Sequence, residues 1–168
     1  MVGLRCKLFC YTMEYLRKLK VRLVRGEYKN PLKGQIRNSK EVYRIFKDIK
    51  NNASETCIAI YLDNDLRPLA YNVISTGTLS CTIVEPRDVY GYGFVLLAKY
   101  FILIHNHPHS GIAKPSQEDH EMMQLFIDSA HYMQMRFLDF IIVGDRNYWS
   151  LYKEHEHGED RYETGAIF

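Results

Sequence analysis

The sequence predicts an α/β fold, of the α+β kind in which helices flank a mixed β-sheet. Three observations predict it. Apolar runs short enough for strands are interleaved with segments of helical spacing, and some of these runs are joined by tight turns, as in hairpins. At 168 residues the chain can bury one substantial core, and its 46% hydrophobic and 25% charged residues are ordinary for a globular domain.

The first half of the chain is predicted to contain one helix and two strands. Ser39 is a good N-cap for a helix over residues 39–50, in which apolar side chains recur on one face. The run 57–62 has a strong strand pattern. The turn 63–65 then leads into a second strand, which covers residues 69–74.

The middle of the chain is predicted to contain the central strand between two helices. The run 80–84 is typical of a strand, and Pro86 suits the first turn of a helix that extends to about Lys99. Residues 100–105 form an apolar strand, and Ser116 begins the next helix. The core-facing stripe of that helix consists of Met122, Met123, Phe126, Ile127 and Ala130.

A β-hairpin is predicted towards the end of the chain. Its first strand covers residues 138–143, its turn is the segment 144–147, and its return strand covers residues 148–152. The remaining residues, 154–168, are polar and carry no clear period, so we expect a mobile tail.

The most informative stretch lies at the end of the central strand. His105 and His107 are two residues apart, so a strand directs both imidazoles to the same side, where they can share a metal ion. Pro108 ends the strand, and Asp119 follows Ser116 by three residues at the next helix start, which makes a carboxylate available as a third ligand. Such a set leaves one tetrahedral position of zinc for a water, whose pKa falls to about 7 on the metal. The pattern predicts a catalytic zinc site.

Each half of this motif also has a purely structural interpretation. Ser116 with Asp119 is an ordinary helix N-cap with an acidic residue in the first turn. The sequence His-Asn-His-Pro alone could form a polar loop. Both features fall within one short segment that follows a hydrophobic strand, where open sites are usually built, and this coincidence favours the metal interpretation.

Cysteine usage and hydropathy restrict the setting of the protein. The four cysteines, Cys6, Cys10, Cys57 and Cys81, show no Cys-x-x-Cys spacing and are too sparse for a disulfide scaffold. We therefore expect reduced thiols and a cytoplasmic location. The first ten residues lack the apolar region of a signal peptide, and no apolar run reaches the roughly 18 residues that span a membrane.

The net charge of +2 hides an asymmetry between the two ends of the chain. Residues 1–50 hold 14 Lys and Arg against four Asp and Glu, whereas residues 51–168 hold eight against 16. Residues 1–38 are expected to form a basic extension before a domain over residues 39–153. The extension could bind nucleic acid, bind an acidic partner or lie on the acidic remainder of its own domain. Its candidate contacts to nucleic acid are Lys18, Lys20, Arg22 and Arg25.

From about residue 39 to residue 152 the chain resembles the RadC-like branch of the JAB/MPN (JAMM) metalloprotease superfamily. The core of this resemblance is His105-Asn-His107-Pro108 followed by Ser116-x-x-Asp119. Supporting matches are Gly77-Thr-Leu79, Pro86-Arg87, Ala98, Ile141-Ile-Val-Gly144 and Ser150. The resemblance implies a JAB/MPN-like, cytidine-deaminase-like architecture.

The superfamily pattern also requires a glutamate far upstream, at the start of the first strand of the sheet. Glu55 stands at that place in this sequence. Without the resemblance, a single glutamate at a strand entrance is usually a solvated charge. Glu41 and Glu85 are the other candidates, and neither occupies the matching place.

The resemblance implies a chemical role for each of these residues. Glu55 would take a proton from the attacking water and pass it to the leaving amine. Ser116 would donate a hydrogen bond to the oxyanion of the tetrahedral intermediate. The zinc ligands would be His105, His107 and Asp119. The implied reaction is the hydrolysis of a peptide or isopeptide bond.

Two positions depart from the superfamily pattern. Eight residues separate His107 from Ser116, one more than usual, and His109 looks like the insertion. We interpret His109 as a solvent-facing loop residue, with a substitute ligand or a neighbouring base as the alternative. The Asp-His pair that RadC-like sequences tend to carry before the late strand is replaced by Asp139-Phe140.

A second class of function stays open. The chain could be a catalytically silent RadC-like binding module, acting in DNA repair or in a mobile-element context through its basic extension. We expect no helix-hairpin-helix segment in residues 1–38, so the resemblance of the domain alone does not imply a DNA role. The metal content of the purified protein would distinguish the enzyme from the module.

Overall fold

The structure is a computed structural model that describes residue 20, residues 22–26, residue 28, residues 34–77 and residues 84–156. A 3₁₀ turn, Lys47–Asn51, follows the first helix. The helices and strands are α1 (Ser39–Phe46), β1 (Thr56–Leu62), β2 (Pro68–Thr76), α2 (Pro86–Val95), β3 (Tyr100–Asn106), α3 (Gln117–Met133), β4 (Arg136–Val143), β5 (Tyr148–Ser150) and α4 (Leu151–Glu156).

The strands form one five-stranded mixed sheet in the order β2-β1-β3-β4-β5. The pair β3 and β4 is parallel, and the other neighbouring pairs are antiparallel. Every residue of β1 and β3 is buried, as expected for central strands that are covered on both faces. The predicted α/β fold, with a mixed sheet flanked by helices, is confirmed.

Apolar cores cover both faces of the sheet. On one face, Phe101 of β3 contacts Tyr90 of α2 and Phe126 of α3, with ring centroids 5.4 Å and 5.5 Å apart. On the other face, Val42 and Phe46 of α1 pack in a second buried cluster. The apolar stripes of the helices therefore match the two sides of the central strands, and the polar ends of these strands lie at the rim of the sheet.

The register of β1 and β3 determines which residues meet at this rim. The two strands are antiparallel, and Cys57 lies opposite His105. The beginning of β1 therefore lies beside the end of β3. A side chain that directly precedes β1, such as that of Glu55, can reach the imidazoles that end β3.

The first predicted helix differs from the prediction at both ends. Its N-cap is Asn38 instead of Ser39, and the Asn38 side chain accepts from the Glu41 N–H. The α-helix ends at Phe46, and the 3₁₀ turn takes the place of its predicted last residues, so the boundary at residue 50 was wrong.

Two further predicted elements end earlier than expected, so these boundaries were also wrong. Helix α2 stops at Val95 instead of about Lys99, because Leu97 adopts a left-handed φ of 53° and the Ala98 N–H donates to the Gly93 carbonyl. The return strand stops at Ser150 instead of residue 152. The chain then forms α4, which includes residues 154–156 of the expected tail.

A buried polar cluster explains why the chain turns into α4. Asp139 accepts a hydrogen bond from the Tyr152 N–H at 3.0 Å. It also accepts one bifurcated hydrogen bond from the Ser150 hydroxyl, whose oxygen lies 2.9 Å and 3.0 Å from the two carboxylate oxygens. The Ser150 hydroxyl oxygen in turn accepts from the Lys153 N–H at 3.3 Å. These acceptors satisfy N–H groups in the first turn of a helix, which otherwise have no partner, so they favour a helix at this point.

Stability is expected to depend on the ionisation of Asp139. Burial raises the pKa of Asp139 from 3.8 to about 6, although hydrogen bonds with Ser39, Tyr152 and Ser150 act in the opposite direction. Because the folded state then binds the proton more tightly than the unfolded state, ionisation lowers the free energy of unfolding as the pH rises from about 4 to about 6, by on the order of 3 kcal/mol.

The variant Asp139→Asn cannot titrate at this position. Its free energy of unfolding, relative to that of the native protein, should therefore rise across the same pH window. Denaturant unfolding of both proteins on either side of the window measures this difference. Stability curves that run parallel through the window would contradict the expected change.

Some predictions fall outside the described residues. These are residues 80–83 of the strand 80–84, the tail beyond residue 156, and Lys18. Val84, the last residue of that predicted strand, is described and is not part of a strand. In the described ranges, none of the helices combines the length and the apolar character that a membrane crossing requires.

Candidate metal centre

Both histidines lie at the end of β3, on the same face of the sheet. The His105 side chain is 1% exposed, whereas His107 is half-buried and opens towards solvent. Their ring centroids are 4.8 Å apart. The spacing of two residues along a strand therefore places the two imidazoles side by side, as the sequence predicts.

Asp119 approaches the histidines from the first turn of α3. Its Oδ1 lies 3.5 Å from Nε2 of His105, and its Oδ2 lies 3.3 Å from Nε2 of His107. Ser116 is the N-cap of α3, where its hydroxyl oxygen accepts from the Asp119 N–H at 3.1 Å and its own N–H donates to Asp119 Oδ2 at 2.7 Å. The capping interpretation and the site interpretation are therefore compatible, because the cap fixes the carboxylate that faces the imidazoles.

Glu55 reaches the same cluster from the turn before β1. Its Oε1 lies 3.5 Å from Nδ1 of His105, and its side chain is 19% exposed. The two other candidate glutamates lie elsewhere. Glu41 lies in the first turn of α1, where its carboxylate accepts from the Arg37 N–H at 2.7 Å. Glu85 forms an ion pair with Arg87 at the start of α2.

The distances in this cluster fit a tetrahedral metal ion. Ligands that lie about 2.0–2.1 Å from zinc are separated from one another by about 3.3–3.4 Å, close to the separations between Asp119 and the two Nε2 atoms. Among the described residues, neither ring nitrogen of the buried His105 has a hydrogen-bond partner. Buried polar atoms are rarely left without a partner, so this imidazole fits a ligand that is bound by an ion.

A second ligand set overlaps with the first. In the described part of the chain, ligand atoms of Glu55, His105 and His107 all lie within 4.8 Å of one another. Both sets contain the two histidines, and they differ in whether the carboxylate comes from Glu55 or from Asp119. The Asp119 carboxylate is the one that lies near Nε2 of both rings.

The electrostatics of the cluster favour a neutral His105 and an ionised Asp119, which are the states that bind cations, whereas His107 attracts a proton. Burial lowers the pKa of His105 to about 4, against the attraction of Asp119. Burial alone would raise the pKa of Asp119, but hydrogen bonds from His107 and Ser116 and the charge of His105 hold it at about 2. The hydrogen bond with Asp119 raises the pKa of His107. A cation bound between His107 and Asp119 would replace the proton that these two side chains otherwise share.

The loop after β3 orients His107. Nδ1 of His107 lies 3.2 Å from the carbonyl oxygen of Ile112. A proton assigned to Nδ1 donates to this carbonyl, so Nε2, which faces Asp119, is the nitrogen that an ion could take over from its proton. Gly111 fixes the loop, since its N–H donates to the His107 carbonyl and its carbonyl accepts from the Asp145 N–H, both at 2.9 Å.

Gly111 is required at this position for two reasons. Its φ is 60°, and an added Cβ would collide with the Asp145 carboxylate. His109 is exposed in the same loop, as expected of a solvent-facing residue. The extra residue is therefore accommodated before α3, and Ser116 still caps the helix.

Three neighbours of the cluster were missed by sequence reasoning. Asn106, between the histidines, is fully buried and bonds to the turn that carries Glu55. The Ile112 carbonyl is a backbone group that no residue pattern reveals. Phe140 packs its ring against His105, with centroids 4.9 Å apart at 74°. Strand alternation could have indicated Asn106, because it places an amide on the face opposite the imidazoles.

None of the described residues of the basic extension belongs to this cluster. Lys20, Arg22 and Arg25 are exposed on the described part of the extension. Their candidate role with nucleic acid therefore stays a prediction that is separate from the metal centre.

A mixed sheet whose central strand ends in two histidines, faced by a helix-capping aspartate, defines a JAB-type domain. The family profile described as the RadC-like JAB domain matches residues 36–158, which is most of the chain. The chain belongs to the RadC-like JAB domain family, as the resemblance predicted.

Relatives from distant organisms are similar to the same part of the chain. Proteins named UPF0758 from Legionella pneumophila, Streptococcus sanguinis and Methanosarcina mazei are 32%, 36% and 33% identical to it over 123 residues. The similarity covers 73% of this chain and 54%, 54% and 53% of these relatives. The chain thus spans about half the length of the curated relatives that it matches.

Proposed function

We propose that the chain is a zinc-dependent hydrolase of the JAMM metallopeptidase type, which cleaves a peptide or isopeptide bond. The observation that carries the proposal is the position of the Asp119 carboxylate, 3.5 Å and 3.3 Å from Nε2 of His105 and His107. Two imidazoles and one carboxylate are the donor set of an open zinc site, which keeps one position for solvent or substrate.

The metal would be held by His105, His107 and Asp119. When bound, zinc would supply Lewis acidity to the water and to the scissile carbonyl. We assign the ligand role to Asp119 rather than to Glu55, because Asp119 lies near both Nε2 atoms, whereas Glu55 lies on the Nδ1 side of His105.

Glu55 acts as the acid-base residue in this proposal. Its partly exposed carboxylate accepts a proton from the attacking water and delivers it to the leaving amine, work that contributes about 10²–10⁴-fold to a rate. The same carboxylate favours a proton on the adjacent Nδ1 of His105, which leaves Nε2 available as a ligand.

Ser116 supports the transition state in this proposal. Its hydroxyl oxygen accepts from the Asp119 N–H, so the hydroxyl hydrogen can be directed outwards to the oxyanion of the substrate. A single donor of this kind is worth about 3 kcal/mol. Ser116 is exposed at the start of α3, where a substrate carbonyl can approach it.

The proposed setting is the cytoplasm. It is supported by Cys57, a buried cysteine that forms no disulfide with the described residues. A DNA repair context would apply only to the alternative function, a module that binds nucleic acid.

Metal removal tests the proposal. The protein is purified without added metal, its zinc content is measured, and a defined pool of peptides and isopeptide-linked peptides is followed by mass spectrometry. We expect about one zinc per chain, cleavage that stops when a chelator strips the metal, and recovery on addition of zinc. A protein that neither retains zinc nor cleaves any member of the pool when zinc is added would contradict the proposal.

The alternative function is a catalytically silent module that binds nucleic acid in a DNA repair or mobile-element context. It is supported by the exposed Lys20, Arg22 and Arg25 on the described part of the extension. Two results with zinc-free protein would favour this alternative. Its affinity for duplex DNA should fall as the salt concentration rises, and replacement of these residues and Lys18 should make the slope of log K against log salt less steep. The expected change in slope is about 0.9 for each lost phosphate contact.

A further inference from the structure

We propose that Asn106 is a positioning residue, which holds the turn before β1 so that the carboxylate of Glu55 stays at the ring of His105. This inference rests on the proposed function, because that function assigns the acid-base role to Glu55. The side-chain hydrogen bonds of Asn106 go to the turn before β1 and not to the proposed ligands. It acts through the backbone that carries Glu55.

The side chain of Asn106 faces away from the two imidazoles. Successive residues of a strand point to opposite faces, so the residue between His105 and His107 projects to the other side of the sheet. Asn106 is 0% exposed there, in a position where an amide must find partners within the protein. An amide offers one acceptor oxygen and two N–H donors.

The acceptor and the donor groups of the Asn106 amide all face the turn before β1. Oδ1 of Asn106 accepts from the Thr56 N–H at 2.8 Å. Its Nδ2 lies 3.4 Å from the Ser54 carbonyl and 3.5 Å from the Asn52 carbonyl, to which it donates. One side chain thus bonds to the backbone of the turn at three points, on both sides of Glu55.

These bonds extend the pairing of β1 with β3. The register ends where Cys57 lies opposite His105, and the side chain of Asn106 then provides the next acceptor for Thr56 in place of a backbone carbonyl. On the other side, the Gly77 N–H donates to the Glu55 carbonyl at 2.8 Å. The backbone at Glu55 is therefore held between the end of β2 and the strand that carries the histidines.

The chemistry of these contacts requires an amide. In Asn106→Ala the Thr56 N–H would be buried without its acceptor, and the turn would be released from β3. In Asn106→Asp an ionised oxygen would face the two carbonyls to which Nδ2 now donates. Asn52→Ala is a matched control, since it removes the bond from Asn52 Nδ2 to the Thr56 hydroxyl in the same turn but keeps the Asn52 carbonyl.

The position of Glu55 can be measured without metal or substrate. In the metal-free protein, the ¹⁵N chemical shifts of the His105 ring report which nitrogen carries the proton. The Glu55 carboxylate, 3.5 Å from Nδ1, favours a proton on that nitrogen, and the Asp119 carboxylate, 3.5 Å from Nε2, favours a proton on the other. The ring of His107 is an internal reference, because the Ile112 carbonyl holds its Nδ1. A mere loss of stability would not change one ring selectively.

We expect Glu55→Gln to shift the two His105 nitrogens towards the Nε2–H tautomer, because the Asp119 carboxylate is then the only charged acceptor that the described residues place at the ring. Asn106→Ala should reproduce most of this shift, and the double variant should add nothing to Glu55→Gln alone. Asn52→Ala and the His107 signals should stay at their native values. Native His105 shifts in Asn106→Ala, or no response of His105 to Glu55→Gln, would overturn the inference.

A second measurement covers the case in which Asn106→Ala does not fold. The Thr56 amide of the native protein should exchange its hydrogen slowly, because Asn106 accepts from it, and fast exchange of this amide in an otherwise protected β1 would overturn the inference. Absence of zinc and of cleavage would instead reject the proposed function, whatever the tautomer of His105. The two failures are therefore distinguishable.

Discussion

Glu55→Gln is expected to keep zinc and to lose hydrolysis. Glutamine has nearly the shape of glutamate but cannot accept the proton of the attacking water, so the rate of cleavage should fall by about 10²–10⁴-fold. The proposed ligands are His105, His107 and Asp119, and none of them is changed, so the zinc content should stay at the native value. Both quantities can be measured on the same preparation, by metal analysis and by the peptide-pool assay.

Glu85→Gln is the matched control for this experiment. Glu85 is another glutamate before a regular element, but it is exposed and paired with Arg87, and it does not belong to the cluster of Glu55 with the two histidines. The control should cleave at the native rate. Cleavage by Glu55→Gln at the rate of the control would remove the acid-base role from Glu55, whereas loss of zinc from Glu55→Gln would favour the ligand set that includes this glutamate.

His107→Ala is expected to lower the affinity for zinc by about 100-fold or more. A structural zinc site with four ligands has an apparent binding free energy of about 10–16 kcal/mol, so each ligand contributes on the order of 3 kcal/mol. His107 is half-buried at the end of β3, and truncation of its side chain leaves the core contacts of the sheet in place. Competition with a chromogenic chelator measures the affinity of the folded variant.

His109→Ala is the control within the same loop. His109 is exposed, and the described cluster does not include it, so its removal should change the affinity less than about twofold. This comparison also tests the alternative role that the sequence left open for His109. Equal losses in the two variants would assign a ligand role to His109 and require a different metal geometry.

Local patterns were sufficient to predict the elements that bring the histidines together. The apolar run before His105 has the length of a single strand, so it predicts β3. The alternation of side chains along a strand then places His107 on the same side of the sheet as His105. The cap formed by Ser116 likewise predicted where α3 begins, and hence the position of Asp119 in its first turn. Each of these features depends on residues that are close in the sequence.

Features that depend on contacts between distant residues could not be read in this way. Glu55 came only from the family resemblance, because its place beside His105 follows from the register of β1 and β3. Helix α4 was missed because its first turn is satisfied by Asp139, a residue of another strand. The left-handed Leu97 that ends α2 also had no signal, since leucine is an unusual residue in that conformation.

The centre joins β3 to α3, two elements that are also connected by the loop between them and by the apolar contact of Phe101 with Phe126. His105 belongs to β3 and His107 directly follows it, whereas Asp119 belongs to α3, where the cap with Ser116 anchors its carboxylate. Under the proposed function, a bound ion would therefore cross-link sheet and helix, much as a disulfide joins two segments. By mass action, an ion that binds only the native arrangement adds to the stability of the whole domain, so metal supply and folding would be thermodynamically linked.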